Sequence, residues 1–429
     1  MPDLTPSLLP ILQNHRLPDI DLGPGFIYPK YDGGSILNLA PTICGLFGIP
    51  ELGSGGVLTP EIYRPLKDLS DGAQRVILIL MDALALHRLR AWMYNGSAPF
   101  WAKLVEDGLL APLTSIVPST TSAAIPTIWS GLSPAEHGLV GYELWLKEYG
   151  VTANMITQTA FKTGGSLETA GFKPENILPG PSLGTQLGAY GIKTYAFQHY
   201  SIANSGMSRM FMAHTDVRSF STPVEMMVNI RMLAEHFPHE RQFIGAYWGE
   251  VDHYSHYYGP DDERVAAEFE HFTHALQTCL FDKMTPVARQ GTLLLLAADH
   301  GQILTPQDPH YELNSHPNLA RRLPMLPSGE NRMIYFFIRP GQVEAVRDYL
   351  DRTFMGQFAQ IDPGYALSNG LFGPGEQHPK LRDRLGDLIA IPRGSAHLWW
   401  GENESPIVGR HGGMMAEEML VPLLAARLG

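Results

Sequence analysis

The clearest pattern along this chain is a set of short, unbroken apolar runs separated by longer stretches of mixed character. Residues 76–80 read Val-Ile-Leu-Ile-Leu, with no polar position among them. A strand with one wet face would alternate apolar and polar residues, so a continuous run predicts a strand covered on both faces, as in a parallel sheet under helices. Residues 243–248 and 292–298 repeat the pattern, and residues 193–198 give a weaker fourth example. Between these runs, residues 224–236 and 261–287 are read as helices. Alternating strands and helices predict an α/β fold: a doubly wound, mostly parallel sheet flanked by helices.

Outside the runs the texture changes. Residues 1–70 are rich in Pro and Gly with little periodicity, and are expected to form an extended N-terminal arm on the core, anchored by Phe26, Tyr28 and Tyr31. Residues 71–302 make the α/β core. Pro, Gly and polar residues dominate 303–400, where strand-like pieces such as 333–338 stand isolated, and this stretch is expected to be an insertion or cap. Residues 401–429 return to the core through a Gly-rich loop at 409–413 and a helical or strand-like piece at 417–424.

Composition narrows the function. The chain has 429 residues, with 31 Lys and Arg against 43 Asp and Glu, a formal charge of −12. That balance offers no bulk attraction to nucleic-acid polymers or anionic membranes. Cys44 and Cys279 are isolated, with no CxxC pair or disulfide framework, which suits a reducing compartment. The first residues lack the basic and apolar regions of a secretory signal, and the apolar runs are too short to span a bilayer. The expectation is a cytoplasmic protein.

The chemistry sits where the apolar runs stop. Asp82 directly follows the run at 76–80 and Met81, Asp252 lies four residues beyond Trp248, and Asp299 and His300 directly follow Ala298. Open α/β sheets bind ligands at the carboxyl ends of their strands. A single Asp there is often only a helix cap, but three of them, two beside histidines, suggest a metal site. Asp252 and His256 are four apart, so one helical turn would bring both to a single ion. His253, between them, reads as part of a polar surface. His411 lies in the flexible Gly409-Arg-His-Gly-Gly413 loop. Finally, Pro118-Ser-Thr-Thr-Ser122 places four hydroxyl residues before an apolar stretch, a helix-capping pattern. The same hydroxyls, at a helix N-terminus, could instead face an anion and supply a nucleophile. Pro126 inside that helix predicts a late start or a kink.

In their order these blocks resemble the alkaline phosphatase superfamily, and most closely its nucleotide pyrophosphatase/phosphodiesterase (type I phosphodiesterase) branch. The blocks are Leu80-Met-Asp82, Pro118-Ser-Thr-Thr121 leading to Gly131-Leu-Ser-Pro-Ala-Glu-His-Gly138, Asp252-x-x-x-His256-x-x-Gly-Pro260, Ala298-Asp-His-Gly301, and His411-Gly412. The resemblance implies two divalent metal ions, zinc or alternatively manganese. One would be held by Asp82, Thr121, Asp299 and His300, the other by Asp252, His256 and His411. It implies Thr121 as nucleophile, a phospho-threonine intermediate, and a small-molecule phosphate ester as substrate. His137 would be structural. Two departures matter. The branch has an aromatic residue after the nucleophile, implied to stack on a nucleobase, and an Asn further on, implied to bind the phosphate. Here Ser122, Ala123 and Ala124 follow Thr121, which removes both warrants for a nucleotide.

Charge counting addresses the ester. Two dications against three aspartates leave one net positive charge, which suits a singly charged phosphodiester, including a pyrophosphate linkage. A doubly charged monoester would want a further cation such as an Arg, yet none occurs between Arg90 and Arg209, and only Arg209 or Arg410 could approach in the fold. The expected activity is a metal-dependent phosphodiesterase. The alternatives are a phosphomonoesterase or phosphomutase on the same scaffold, and a non-catalytic phospholigand-binding protein. A serine hydrolase is disfavoured, since no Gly-x-Ser-x-Gly elbow is present. Specificity is expected to reside in 1–70 and 303–400, where Trp399, Trp400, Tyr311 and His316 are either pocket walls or packing.

Overall fold

A computed structural model describes residues 3–203, 205–403 and 405–429. Seven strands form the central sheet: β1 (Arg75–Met81), β2 (Leu109–Thr114), β3 (Lys193–His199), β4 (Asp216–Phe220), β5 (Gln242–Trp248), β6 (Thr292–Ala297) and β7 (Leu420–Arg427), in the order β2-β7-β6-β1-β5-β3-β4. All are parallel except β7, which runs against both β2 and β6. Helices cover the faces, so every residue of β1, β2 and β6 is buried. The sheet is therefore the doubly wound, mostly parallel α/β core that the unbroken apolar runs foretell.

A second, wholly antiparallel seven-stranded sheet lies beside it. Residues 303–400 do not build it alone. Glu143–Leu146, Val151–Asn154 and Thr159–Ala160 join Ser328–Glu330, Met333–Phe336, Phe358–Ile361 and Leu388–Pro392. Both faces of this sheet are also covered. Along Met333–Phe336, Met333 and Tyr335 join the main core while Ile334 and Phe336 join a smaller core with Val346, Leu350 and Phe354. That division is the period-two alternation of a strand.

The N-terminal region is not extended throughout. It contains the helices Thr5–Asn14, Leu39–Leu46 and Pro60–Leu69, the last opening on a proline whose fixed φ suits a first helical turn. Phe26, Tyr28 and Tyr31 are buried, as anchors should be, and the Tyr31 hydroxyl donates to the Leu371 carbonyl at 2.9 Å. The helix read at 261–287 is divided: Glu263–Ala275 is α-helical, Leu276–Phe281 widens into π-helical turns, and Pro286 opens a new short helix.

Candidate active site

Three adjacent parallel strands, β6-β1-β5, end at one level, with Met81 paired to Trp248 and Leu80 to Ala297. Their carboxyl ends deliver the three aspartates. Asp82 follows β1, and its N–H donates to the Trp248 carbonyl at 2.9 Å. Asp299 and His300 lie just past β6 and are fully buried. The chain after β5 turns into helix α2 (Glu250–Tyr258), which carries Asp252 and His256 one turn apart, while His253 is exposed.

The other two contributions depend on β7 being antiparallel. Because β7 starts where its neighbours end, the loop before it brings His411 to the same end of the sheet. β2 leads into helix α1 (Thr121–Ser130), whose first residue is Thr121. This helix continues across Pro126 without a late start, and ends at Gly131 in the left-handed conformation. The expected hydroxyl cap is not made: Thr120 occupies the cap position without a side-chain capping bond. Its side chain bonds Glu330 instead.

All seven sequence-selected residues therefore meet at one site. Thr121 Oγ1 lies 3.0 Å from His300 Nε2. His300 Nε2 is 3.4 Å from Asp82 Oδ1 and 3.5 Å from Asp299 Oδ2. His256 Nε2 is 3.2 Å from Asp252 Oδ2, and His411 Nε2 is 3.7 Å from Asp252 Oδ1. The His300 and His411 rings stack with centroids 3.9 Å apart.

The residues fit divalent cations on two counts. The first is the tautomer of each histidine. Nδ1 of His300, His256 and His411 lies against the carbonyls of Gly301 (3.0 Å), Gly409 (2.8 Å) and Ser119 (3.2 Å) respectively. Carbonyls only accept, so each Nδ1 carries the proton, which leaves each Nε2, the nitrogen facing the carboxylate oxygens, as the ring atom able to ligate an ion. The second count is satisfaction: Asp82 Oδ1 and Asp299 Oδ2 are buried with no hydrogen-bond partner. Two donor groups have all their atoms within 4.8 Å of one another, Asp252-His256-His411 and Asp82-Asp252-His300.

The electrostatics agree. Burial, followed by the nearby Asp299 and Asp252, raises the Asp82 carboxyl well above its usual range. Burial also acts to raise Asp252, but His256 and His411 outweigh it and hold that carboxyl below its ordinary value. Asp299 is raised by burial, and burial, with His300 beside it, lowers His411. Crowded, desolvated carboxylates are costly without positive charge to share.

A cavity of about 650 Å³ opens over this cluster. Trp399, Trp400, Glu330, Asn331 and Arg410 line it from the 303–400 and C-terminal segments, whereas Tyr311 and His316 pack in the smaller core. Tyr142, Glu143, Ile156 and Phe161 also line it, and the sequence reading passed over all four. The available signal was the alternation of Glu143-Leu-Trp-Leu146, a hairpin partner of 151–154 across the turn at 147–150. Two supporting residues were missed as well. The Tyr247 hydroxyl donates to Asp82 Oδ2, and Gln302 Nε2 donates to Asp252 Oδ1 at 2.8 Å. His137 is structural: Leu139 N–H donates to its Nδ1, Nε2 lies 3.0 Å from Thr127 Oγ1, and burial pushes its pKa down to about 3.

A two-sheet α/β scaffold with an Asp/His cluster beneath a cavity is consistent with a hydrolase acting on phosphate esters. The family model described as type I phosphodiesterase/nucleotide pyrophosphatase matches residues 76–414, and the chain belongs to that family, within the alkaline phosphatase superfamily. Murine ectonucleotide pyrophosphatase/phosphodiesterase 5 superposes with a TM-score of 0.59 at 17% identity, over 81% of this chain and 87% of that one. Phosphonoacetate hydrolase from Sinorhizobium meliloti 1021, solved with phosphonoformate, gives a TM-score of 0.59 at 16% identity, over 82% of this chain and 89% of that one. At such identities the likeness is one of fold. No curated protein sequence matches the chain. Among the described residues, no helix is long and apolar enough to cross a membrane.

Proposed function

We propose that this chain is a phosphodiesterase in which Thr121 is the nucleophile and two divalent cations, zinc or manganese, are held by the seven clustered residues. Asp82, Thr121, Asp299 and His300 would hold one ion, and Asp252, His256 and His411 the other. When bound, the cations would supply positive charge that lowers the pKa of a hydroxyl or water and neutralises phosphate oxygens. The observation that carries the reading is the place of Thr121. Its hydroxyl stands at the N-terminal, positive end of α1, where that helix meets the Asp/His cluster at the floor of the cavity.

The chemistry then runs in two displacements. Thr121 Oγ1 gives up its proton to solvent and forms a bond to phosphorus while the bond from phosphorus to the leaving alcohol oxygen breaks, and that oxygen takes a proton from solvent. The phospho-threonine is cleaved by water, which gives up a proton to solvent as it attacks phosphorus from the side opposite the Thr121 oxygen. The Thr121 oxygen leaves and is reprotonated. The end of α1 fixes the line of attack, and Tyr247 and Gln302 hold Asp82 and Asp252 in place.

A diester is favoured over a monoester because, among the described residues, the cavity has no free guanidinium or ammonium group. Arg410 is the one described Arg or Lys lining it, and its guanidinium donates to the Thr305 carbonyl (3.2 Å), Thr305 Oγ1 (2.7 Å), Ser405 Oγ and Asn331. Arg209 is engaged with Glu168 at the surface. The murine neighbour was solved in an inactive form with AMP, and the bacterial one with phosphonoformate, so both ester and phosphonate substrates belong in the test. Thr121→Ala is expected to lose at least a thousandfold in kcat on chromogenic diesters while retaining metal by elemental analysis. Unchanged turnover overturns the reading, and mass spectrometry of a trapped adduct locates the phosphorylated hydroxyl.

A further inference from the structure

A second, smaller cavity opens behind the nucleophile. It is about 80 Å³, and it shares Thr121, Ile156, Ile202 and Tyr247 with the large cavity. Its wall begins on the nucleophile's own helix face, where Thr121, Ile125 and Trp129 recur at four-residue spacing. Gly245 on β5 completes the opposite wall. A Cβ there would lie 2.8 Å from the Trp129 ring, so the glycine is what lets that ring lie against the sheet. Met207 and Phe211 close the far end.

The lining has no charged side chain. Its few polar groups serve one another: Ser208 Oγ lies 2.9 Å from both Gln198 Oε1 and the Ile202 carbonyl. The outer cavity differs in carrying charged side chains, Glu143, Glu250 and Glu330 among them.

Resting on the phosphodiesterase reading above, we propose that this inner cavity seats an apolar alkyl substituent on the non-leaving oxygen of the phosphate. The leaving alcohol then faces the large cavity, with its carboxylates. The substrate class is a phosphodiester with one short aliphatic alcohol. The volume is about half that of a cavity which takes a benzene ring, enough for a chain of three or four carbons. This assignment also gives the small residues after Thr121 a meaning. Ser122, Ala123 and Ala124 are buried away from both cavities, so recognition moves from the position after the nucleophile to the one four residues on.

The test is a series of alkyl 4-nitrophenyl phosphates, methyl to hexyl, hydrolysed by the full chain with zinc and with manganese. The expected kcat/KM rises about fourfold per added methylene, the transfer value of a CH₂ group, and levels off at propyl or butyl. Ala196→Leu, which fills the cavity from β3, flattens the series. Met207→Ala, which lengthens the cavity, moves the plateau to longer chains, a gain that a merely damaged protein would not show. A flat series in the unmodified protein, or an identical slope and plateau in all three proteins, overturns the subsite while leaving the phosphodiesterase reading intact. Absence of turnover for every ester, methyl included, overturns that reading and the subsite with it.

Discussion

At the scale of single residues, the site is a set of groups whose ordinary local uses have been given up. Four consecutive hydroxyls before an apolar stretch would normally cap a helix. Here Ser119 Oγ donates to the Gly413 carbonyl at 2.7 Å, Thr120 turns to Glu330, and Thr121 turns to His300. Six of the seven clustered residues were legible because they follow a strand end or sit in a glycine-rich loop, and Thr121 because it lies in a run of hydroxyls before an apolar stretch. Tyr247 was not, because within β5 it reads as one more apolar position. It is the residue to test. Removing its hydroxyl leaves Asp82 Oδ2 buried without its donor, and outer-shell donors of this kind are worth about 10–100-fold in metal affinity. Tyr247→Phe is expected to lose zinc to a competing chelator at correspondingly lower concentrations while its circular dichroism stays unchanged.

At the scale of elements, buried strands were readable and mixed ones were not. β1, β5 and β6 are free of charged and amide side chains after their first residue, whereas Glu143–Leu146 alternates, with Leu144 and Leu146 in the main core and Glu143 turned to the cavity. Its polar positions and brevity made it look like a loop. That strand places a carboxyl where it is hard to ionise: burial pushes Glu143 up to about 7, although the Trp400 Nε1–H donates to its Oε2 at 2.8 Å. The folded state therefore keeps this proton between pH 4.5 and 7 while the unfolded chain loses it. The associated stability is complete below pH 4.5 and is lost as pH rises through 7, a change of roughly 3 kcal/mol. Urea midpoints at pH 5 and pH 8 should differ less in Glu143→Gln than in the unmodified protein; an equal difference would remove Glu143 as the cause.

At the scale of the whole molecule, the two sheets are tied together at the site by a buried ion pair. Arg332, beside the second sheet, gives two bonds to Glu418, from Nε to Oε1 at 3.0 Å and from Nη2 to Oε2 at 2.8 Å, with both side chains fully buried. Glu418 Oε1 also accepts from the Gly413 N–H at 2.9 Å, two residues from His411. Neither partner stands out in the sequence, since a pairing across 86 positions leaves no local trace. Arg332→Met strands a buried carboxylate and is expected to cost about 3–5 kcal/mol in urea unfolding. It should also release zinc faster on dialysis, because the loop bearing His411 loses its anchor.

The place of β7 has a consequence for how the molecule is made. It enters the sheet between β2 and β6, so both strands present open edges until residues 420–427 have emerged from the ribosome. Such edges are templates for pairing with other chains, and long-range pairings of this kind are slow to form. Closure of the sheet must therefore wait for β7. The strand that fills the gap between β2 and β6 also, in the same movement, carries His411 into place, so a chain whose sheet is still open has no complete Asp/His cluster.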